Sequence, residues 1–227
     1  MGVTPFDKPT GRGPGFVTAS VRDPFGNILG VMIDQHGISR GRPEKVRAMT
    51  KSALVVIDML NPYDHKDADK LTRHVAPIVE PLAGLVARAR ERDDVELIYV
   101  NDNYGDFSAD RHELEKRAME GERPDLVEPI LPPAECAFLP KVRHSAFFGT
   151  SLEYLLTHLE VGTVVLTGQV TEQCVLYSAL DAYVRHVDLT VPPDCVAAIH
   201  EDLGEAALRM MERNMSASLT PSREIFA

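Results

Sequence analysis

Short apolar runs alternate, from about residue 53 onward, with longer segments whose apolar residues recur at helical spacing. Strands that alternate with helices in this way usually pair in parallel and are covered by helices on both faces. The sequence therefore predicts a three-layer α/β/α fold around a mostly parallel, open sheet of five or six strands. The predicted strands are 53–57, 95–100, 137–139, 162–166 and 187–191, with a short sixth strand near Ser218, and the predicted helices are 71–89, 112–120, 149–159, 175–183 and 201–213.

The composition narrows the classes of protein to consider. The chain has 227 residues, of which 44% are hydrophobic and 26% charged, as in an ordinary globular protein with one sizeable core. No apolar run approaches the length of a membrane span, and the N-terminus lacks the order of a signal peptide, so we expect a cytoplasmic protein. The net charge of −10, without a basic stripe, argues against nucleic acid as a partner. No glycine-rich nucleotide-binding motif is present, so we expect no cofactor.

Residues 1–47 differ from the rest of the chain. Met1 to Gly15 is rich in glycine and proline and has no periodicity, which predicts disorder or loose attachment. Phe16 to Ile33 alternates weakly around the turn-like sequence Asp-Pro-Phe-Gly-Asn at 23–27, which is typical of a hairpin. We therefore expect an N-terminal extension over 1–47, partly disordered or a loose hairpin, followed by the main domain over 48–227.

The heptapeptide Gly168-Gln-Val-Thr-Glu-Gln-Cys174 lies between the fourth predicted strand and the helix after it. Cys174 is thus expected in the first turn of a helix, where free backbone N–H groups and the helix dipole lower a thiol pKa. The same N–H groups can hold a developing oxyanion. A small buried apolar filler is an equally good interpretation of Cys174 from local sequence alone.

Asp58 and Lys141 follow two other predicted strands. The carboxyl ends of parallel strands meet at one edge of a sheet, where ligands bind, so we expect both residues near Cys174. The lysine would keep the carboxylate ionised and favour a Cys174 thiolate. A buried ion pair that only stabilises a strand end is the alternative, but the added cysteine favours nucleophilic catalysis. None of the 8 histidines stands at an obvious strand end near these residues, so a Cys–His pair is not expected.

Over roughly residues 52–217 the sequence resembles the isochorismatase-like cysteine hydrolases. The resemblance implies a Rossmann-like topology, a catalytic triad of Asp58, Lys141 and Cys174, and a homodimer or homotetramer. It also implies a cis peptide bond between Gln169 and Val170, and an oxyanion hole formed by the backbone N–H groups of Val170 and Cys174. The matching segments are Val55-Val-Ile-Asp58-Met-Leu-Asn61, Lys141-x-x-x-Ser-Ala-Phe-Phe-Gly149 and Gly168-x-Val-Thr-x-x-Cys174-Val175.

The resemblance also implies an activity: hydrolysis of a C–N bond of a small amide or ureido compound through a thioester, with release of ammonia or an amine. Hydrolysis of a vinyl ether, as in true isochorismatases, is an alternative. A non-catalytic or redox-sensing binding protein on the same fold is a further alternative. Redox sensing would require Cys136 or Cys195 to come close to Cys174.

Nicotinamidases of this family bind a metal through an Asp-x-His pair after the second strand. The corresponding segment here is Asn101-Asp-Asn-Tyr-Gly105, in which Asn103 stands where the first metal-binding histidine would be. We therefore expect no bound metal, while Asp102 has either a structural role or a contact with substrate.

We expect the substrate to be a small molecule. The residues predicted to contact it lie near the strand-end motifs: Tyr63, Tyr104, Arg143, His144, Phe148 and Gln169. For Arg143 a surface or interface position is an equally good interpretation, and the pair Phe147 and Phe148 is more typical of core or subunit packing than of a pocket wall.

Overall fold

The computed structural model describes residues 51–227 in full and, before them, only the backbone of three strands. The chain divides into two compact units, Met1–Ala48 and Met49–Ala227. The first unit contains a three-stranded antiparallel sheet in the order β1-β2-β3. Its strands are β1 (Thr4–Gly13), β2 (Phe16–Arg22) and β3 (Ile28–Asp34).

This sheet includes a segment for which the sequence predicted disorder or loose attachment. Within Met1 to Gly15, the residues Thr4–Gly13 form β1, which pairs with β2 in a register that shifts three times. Pairing with a neighbouring strand supplies order that the glycine-rich and proline-rich local sequence does not indicate. The predicted hairpin turn at 23–27 lies outside the described residues.

The second unit is built on a six-stranded sheet in the order β6-β5-β4-β7-β8, with β9 paired to β7. Every pair in this sheet is parallel, and helices cover both faces, which confirms the predicted α/β/α fold. Its strands are β4 (Lys51–Ile57), β5 (Val95–Asp102), β6 (Ala137–Lys141), β7 (Val161–Gln169), β8 (Asp188–Thr190) and β9 (Val196–Ala197). Its helices are α1 (Ala68–Arg90), α2 (Arg111–Met119), α3 (Pro124–Val127), α4 (Leu152–His158), α5 (Leu176–Val184) and α6 (Glu201–Met215).

Two boundaries differ from the sequence prediction. The sixth strand is β9, and Ser218 forms only a single bridge to Thr190. Helix α1 begins at Ala68, ahead of Pro77 and Pro81, although these prolines predicted a later start or an early kink. The apolar face of α1 is buried along its length, and this packing outweighs the low helix propensity of proline.

The central strand β4 shows why its apolar run is continuous. Leu54 and Val56 pack into the core between the sheet and α1, while Val55 and Ile57 pack into the core on the opposite face. Both faces of the strand are therefore buried, as the unbroken run predicted. No helix in the described part of the chain is long and apolar enough to cross a membrane.

The carboxyl ends of four adjacent strands bring polar residues together at one edge of the sheet. Asp58 follows β4, Asp102 ends β5, Lys141 ends β6, and Cys174 lies just past β7. The close approach of β7 to β4 requires Gly168, which has φ +102° and where a Cβ would overlap the carbonyl oxygen of Ile57.

Candidate active site

Asp58, Lys141 and Cys174 form one buried cluster. The Lys141 Nζ atom lies 2.8 Å from Asp58 Oδ2 and 3.7 Å from Cys174 Sγ. The Asp58 carboxylate is also close enough to the thiol to raise its pKa. The side chain of Lys141 is 0% exposed and that of Asp58 is 11% exposed, so the cluster is almost closed to water. Such a buried ion pair is tolerated only because each charge has a close partner.

The backbone holds Asp58 in a left-handed conformation with φ +55° at the end of β4. Its N–H donates to the carbonyl of Val100 at 3.0 Å, and its Oδ1 accepts the N–H of Asp102 at 2.7 Å. Burial raises the pKa of the Asp58 carboxyl above its usual range, and the Lys141 ammonium opposes that shift. A carboxylate of this kind is a stronger base than an exposed one.

Cys174 lies in a π-helical turn, Thr171–Val175, that leads into α5. The turn closes through the Val175 N–H, which donates to the Val170 carbonyl at 3.1 Å. The hydroxyl of Ser178 donates to the Cys174 carbonyl at 2.6 Å. The peptide bond between Gln169 and Val170 is cis.

The thiol pKa does not move in the direction that the sequence predicted. Burial and, after it, the neighbouring Asp58 carboxylate raise the pKa of Cys174 to about 12. Lys141 and the backbone of Val170 act in the opposite direction but are outweighed. The predicted position in the first turn is correct, but the prediction of a lowered pKa is wrong, because that position is buried beside a carboxylate. The resting nucleophile is therefore a thiol with its base already in contact.

Two residues at the end of β5 support the cluster. The Asp102 Oδ2 atom lies 3.4 Å from Lys141 Nζ, so the lysine contacts a second carboxylate. The side chain of Asn101 accepts the N–H of Leu60 at 2.9 Å and donates to the Leu60 carbonyl at 3.2 Å. This clamp fixes the loop that follows Asp58. Asn101 is a site residue that the sequence pattern did not predict, although it follows a buried apolar run as Asp58 does.

Two of the predicted substrate contacts lie behind the site. Tyr63 is 0% exposed and its hydroxyl donates to Gln169 Oε1 at 3.4 Å. Gln169 is 1% exposed and its Nε2 donates to the Asp58 carbonyl at 2.6 Å. Both side chains are thus engaged in hydrogen bonds that hold the backbone of Asp58. Their contact with a substrate stays a prediction.

The other predicted contacts lie nearer the surface. The hydroxyl of Tyr104 donates to the Leu60 carbonyl at 2.8 Å, which commits this partly buried side chain to the Asp58 loop. His144 contacts Tyr177 edge to face, with ring centroids 5.7 Å apart. Phe148 is 61% exposed, and Arg143 is exposed and forms no ion pair within residues 51–227. These last three side chains have free surface on the segment that follows Lys141.

Asn103, at the position of the metal-binding histidine of nicotinamidases, makes a local turn. Its Oδ1 accepts the N–H of Gly105 at 3.0 Å, and its own N–H donates to the Lys141 carbonyl at 2.9 Å. Within the described residues no group of three His, Cys, Asp or Glu side chains is arranged to hold a metal ion.

The cysteines lie on different faces of the sheet. Cys195 is buried in the core beside α1 and Cys136 packs at the edge of the same core. Cys174 belongs to the core on the opposite face, and all three thiols are free. This separation disfavours a redox sensor in which either thiol resolves an oxidised Cys174.

Comparisons with known proteins identify the family of this chain. Residues 52–223 match the sequence model of the isochorismatase domain. The chain belongs to the isochorismatase family. It is 35% identical over 173 residues to the uncharacterized isochorismatase family protein YaaI of Bacillus subtilis, covering 76% of this chain and 95% of that protein.

Two further members of the family have a named activity. Maleamate amidohydrolase of Pseudomonas putida is 34% identical over 166 residues, covering 70% of this chain and 78% of that protein. The crystal structure of N-carbamoylsarcosine amidase from Thermoplasma acidophilum has a TM-score of 0.62 at 28% identity, covering 77% of this chain and 98% of that one. The predicted family is thus confirmed, and the protein is a hydrolase.

Proposed function

We propose that this hydrolase cleaves a C–N bond of a small amide or ureido compound, with Cys174 as nucleophile and Asp58 as general base and acid. The observation that carries the proposal is the buried Cys174 thiol 3.7 Å from the Nζ atom of Lys141, which is itself paired with the Asp58 carboxylate at 2.8 Å. The named activities of the amidohydrolase relatives support the same reaction class. Nucleophile, base and orienting group in mutual contact are the arrangement that covalent catalysis requires.

In the first half of the reaction, Asp58 takes the proton of Cys174 as the sulfur attacks the carbonyl carbon. Lys141 keeps its charge, because the neighbouring carboxylates raise its pKa against the effect of burial. It therefore stabilises both the forming thiolate and the Asp58 carboxylate. Protonated Asp58 then donates its proton to the leaving nitrogen, and ammonia or an amine departs.

In the second half, the same carboxylate removes a proton from a water molecule that attacks the thioester. The carboxylic acid leaves and the Cys174 thiol is restored. The raised pKa of Asp58 suits both steps, because a group that alternates between base and acid works best with a pKa nearer to neutrality.

The negative charge on the carbonyl oxygen requires donors near the sulfur. We assign this role to the backbone N–H groups of Val170 and Cys174. The Val170 backbone is close enough to the Cys174 sulfur to lower the thiol pKa, which supports the assignment, since a backbone donor beside the sulfur also lies close to a carbonyl that the sulfur attacks.

The exposed segment after Lys141 offers substrate contacts to Arg143, His144 and Phe148. Maleamate and N-carbamoylsarcosine each carry a carboxylate in the same molecule as the amide or ureido group, and Arg143 has no carboxylate partner within residues 51–227. We therefore propose a small substrate with a carboxylate that Arg143 binds. A cytoplasmic location and a homodimer or homotetramer complete the proposal; they rest on the sequence and on its resemblance to the family.

Ammonia release from a panel of small amides and ureido acids, with isochorismate included, tests the reaction class. The wild-type protein is expected to release ammonia from at least one carboxylate-bearing amide, and Cys174→Ala to release none. Turnover of isochorismate alone, or full activity of purified Cys174→Ala, would show that the proposed C–N hydrolysis is wrong.

A further inference from the structure

Glu172 lies in the same turn as Cys174 but points away from the cluster of Asp58 and Lys141. Its Oε1 atom accepts two backbone N–H groups, from Ile199 and His200, each at 3.0 Å. A carboxylate that accepts two N–H groups makes a strong, geometrically defined link. The side chain thus joins the nucleophile turn to a segment that lies more than twenty residues further along the chain.

That segment is the entrance to α6. His200 is the N-cap residue of the helix, so the carboxylate of Glu172 also lies at the positive end of the helix dipole. The first turn of α6 packs closely there, because a Cβ on Gly204 would overlap Ala198 and would also reach Thr171. The first turn of α6 therefore packs directly against the turn that carries Cys174.

The turn has internal bonds as well, but these close it on itself. The Val175 N–H bonds to Val170, and Ser178 bonds to Cys174, all within one short stretch of chain. They fix the shape of the turn and leave its placement against the rest of the site to other contacts. The link from Glu172 to Ile199 and His200 supplies such a placement.

Helix capping alone does not account for this arrangement. The Glu172 Oε2 atom is buried without a hydrogen-bond partner in the described part of the chain. Burying an unpartnered carboxylate oxygen costs free energy, and a short polar side chain at the N-cap position would cap α6 without that cost. The hydrogen bonds of Glu172 also connect the turn of Cys174 to the start of α6, which a local N-cap side chain would not do.

We propose that Glu172 is a positioning residue that holds the turn of Val170 and Cys174 in the geometry that binds the oxyanion. The proposal rests on the proposed function, because it assigns the oxyanion to these two N–H groups. Glu172 itself touches neither the substrate nor the reacting atoms. Loss of its two hydrogen bonds lets the turn shift while Asp58 and Lys141 stay in place.

The test compares Glu172→Ala with Glu172→Gln, whose amide oxygen can still accept both N–H groups. Glu172→Ala is expected to lower kcat by roughly 10- to 100-fold with a small change in KM, as for a displacement of about 1 Å in a catalytic group. Glu172→Gln is expected to recover most of kcat. Glu201→Gln is the matched control, since it removes an exposed carboxylate from the first turn of α6 without touching the nucleophile turn.

Two thiol probes separate placement from general damage. Addition of the thiol to a small aldehyde such as propionaldehyde transfers the thiol proton to the carbonyl oxygen and gives a thiohemiacetal, whose oxygen occupies the oxyanion position. Alkylation by iodoacetamide forms an S–C bond with loss of iodide and needs only the thiolate. Glu172→Ala is expected to bind the aldehyde at least 10-fold more weakly and to be alkylated at a rate within about threefold of wild type.

Unchanged kcat and aldehyde affinity in Glu172→Ala would overturn the proposal, as would equal losses in the alanine and glutamine variants. If the alanine variant does not fold, Glu172→Asp decides, since its shorter side chain keeps the charge but cannot reach both N–H groups. If the wild-type protein binds the aldehyde but hydrolyses no amide, the proposed function is wrong. The aldehyde affinities of the wild-type protein and of Glu172→Ala would then still decide the role of Glu172.

Discussion

The site has two halves that are built in different ways. Asp58 and Lys141 lie at the ends of neighbouring parallel strands, and the sheet brings them to 2.8 Å from each other. Cys174 and Val170 lie in a turn that is shaped by its own bonds and placed by the link from Glu172 to the start of α6. The charged half is therefore fixed by strand register, and the nucleophile half by contacts between segments distant in sequence.

This difference separates two ways to lose activity. A substitution in the charged half changes proton transfer and, where it leaves a buried charge without its partner, lowers the stability of the fold. Damage to the nucleophile half changes the position of the oxyanion donors and leaves proton transfer intact. Substitutions in the charged half test this difference between the halves, because each should leave the turn of Val170 and Cys174 in place.

The largest effect is expected from Asp58→Asn. The amide keeps the shape of the side chain but cannot take the proton of a thiol whose pKa burial raises to about 12. We expect kcat to fall by about 10³-fold or more, in line with the loss of a general base. Steady-state ammonia release measures this effect.

Circular dichroism and aldehyde affinity provide the control for Asp58→Asn, because they should show a folded protein with an intact oxyanion turn. Activity within tenfold of wild type would contradict the assignment of Asp58 as the base and would erase the distinction between the two halves.

The next largest effect concerns stability. Lys141→Met removes one partner of an ion pair whose lysine side chain is 0% exposed, and it leaves the Asp58 carboxylate buried without its cation. We expect a loss of about 3–5 kcal/mol in the free energy of unfolding, because an uncompensated buried charge is costly. Urea unfolding measured at neutral pH gives this quantity.

The double variant Asp58→Asn with Lys141→Met is the matched control. It removes both charges, so it should be more stable than the sum of the two single losses predicts. Strictly additive losses would mean that the two charges do not interact across the strand ends.

The charged half could be predicted from sequence for a physical reason. A continuous apolar run such as Ala53–Ile57 indicates a strand buried on both faces, and the residue after such a strand lies at the edge where ligands bind. Asp58 and Lys141 both follow strands of this sheet, so their approach followed from the alternation of strands and helices. Their pairing in the structure agrees with that expectation.

The nucleophile half could not be predicted to the same depth. The direction of the Cys174 pKa depends on burial and on Asp58, which the position in a first helical turn does not indicate. The link from Glu172 to Ile199 joins residues with no shared local pattern. Gln169 and Tyr63 adjoin the motifs, yet only the packed structure shows that they are fully buried.

The pH dependence of kcat/KM is a smaller effect that reports on the charged half. Catalysis needs ionised Asp58, so activity should fall as the pH drops through the pKa of that carboxyl. Burial raises this pKa above the ordinary 3.8, which places the acid limb at higher pH than for an exposed aspartate. Lys141 keeps its proton beyond the ordinary 10.5, so no loss from this lysine is expected below about pH 10. An acid limb at or below pH 3.8 would contradict the raised pKa.

The smallest effect is expected from Asp102→Asn. This carboxylate is a secondary partner of Lys141 at 3.4 Å, its side chain is 30% exposed, and the backbone N–H that binds Asp58 stays in the variant. We therefore expect kcat/KM to fall by less than about tenfold, since partly exposed ion pairs are weak. Removing a negative charge near Asp58 should also favour its ionisation and move the acid limb to lower pH.

Asp106→Asn is the control for Asp102→Asn, because this carboxylate lies in the following loop and bonds only locally, to Ser108, among the contacts described. It should leave both kcat/KM and the acid limb unchanged. A large rise in the KM of Asp102→Asn with an unchanged kcat would instead indicate that Asp102 contacts the substrate. The strand ends would then bind substrate as well as transfer protons, and the charged half would not be limited to proton transfer.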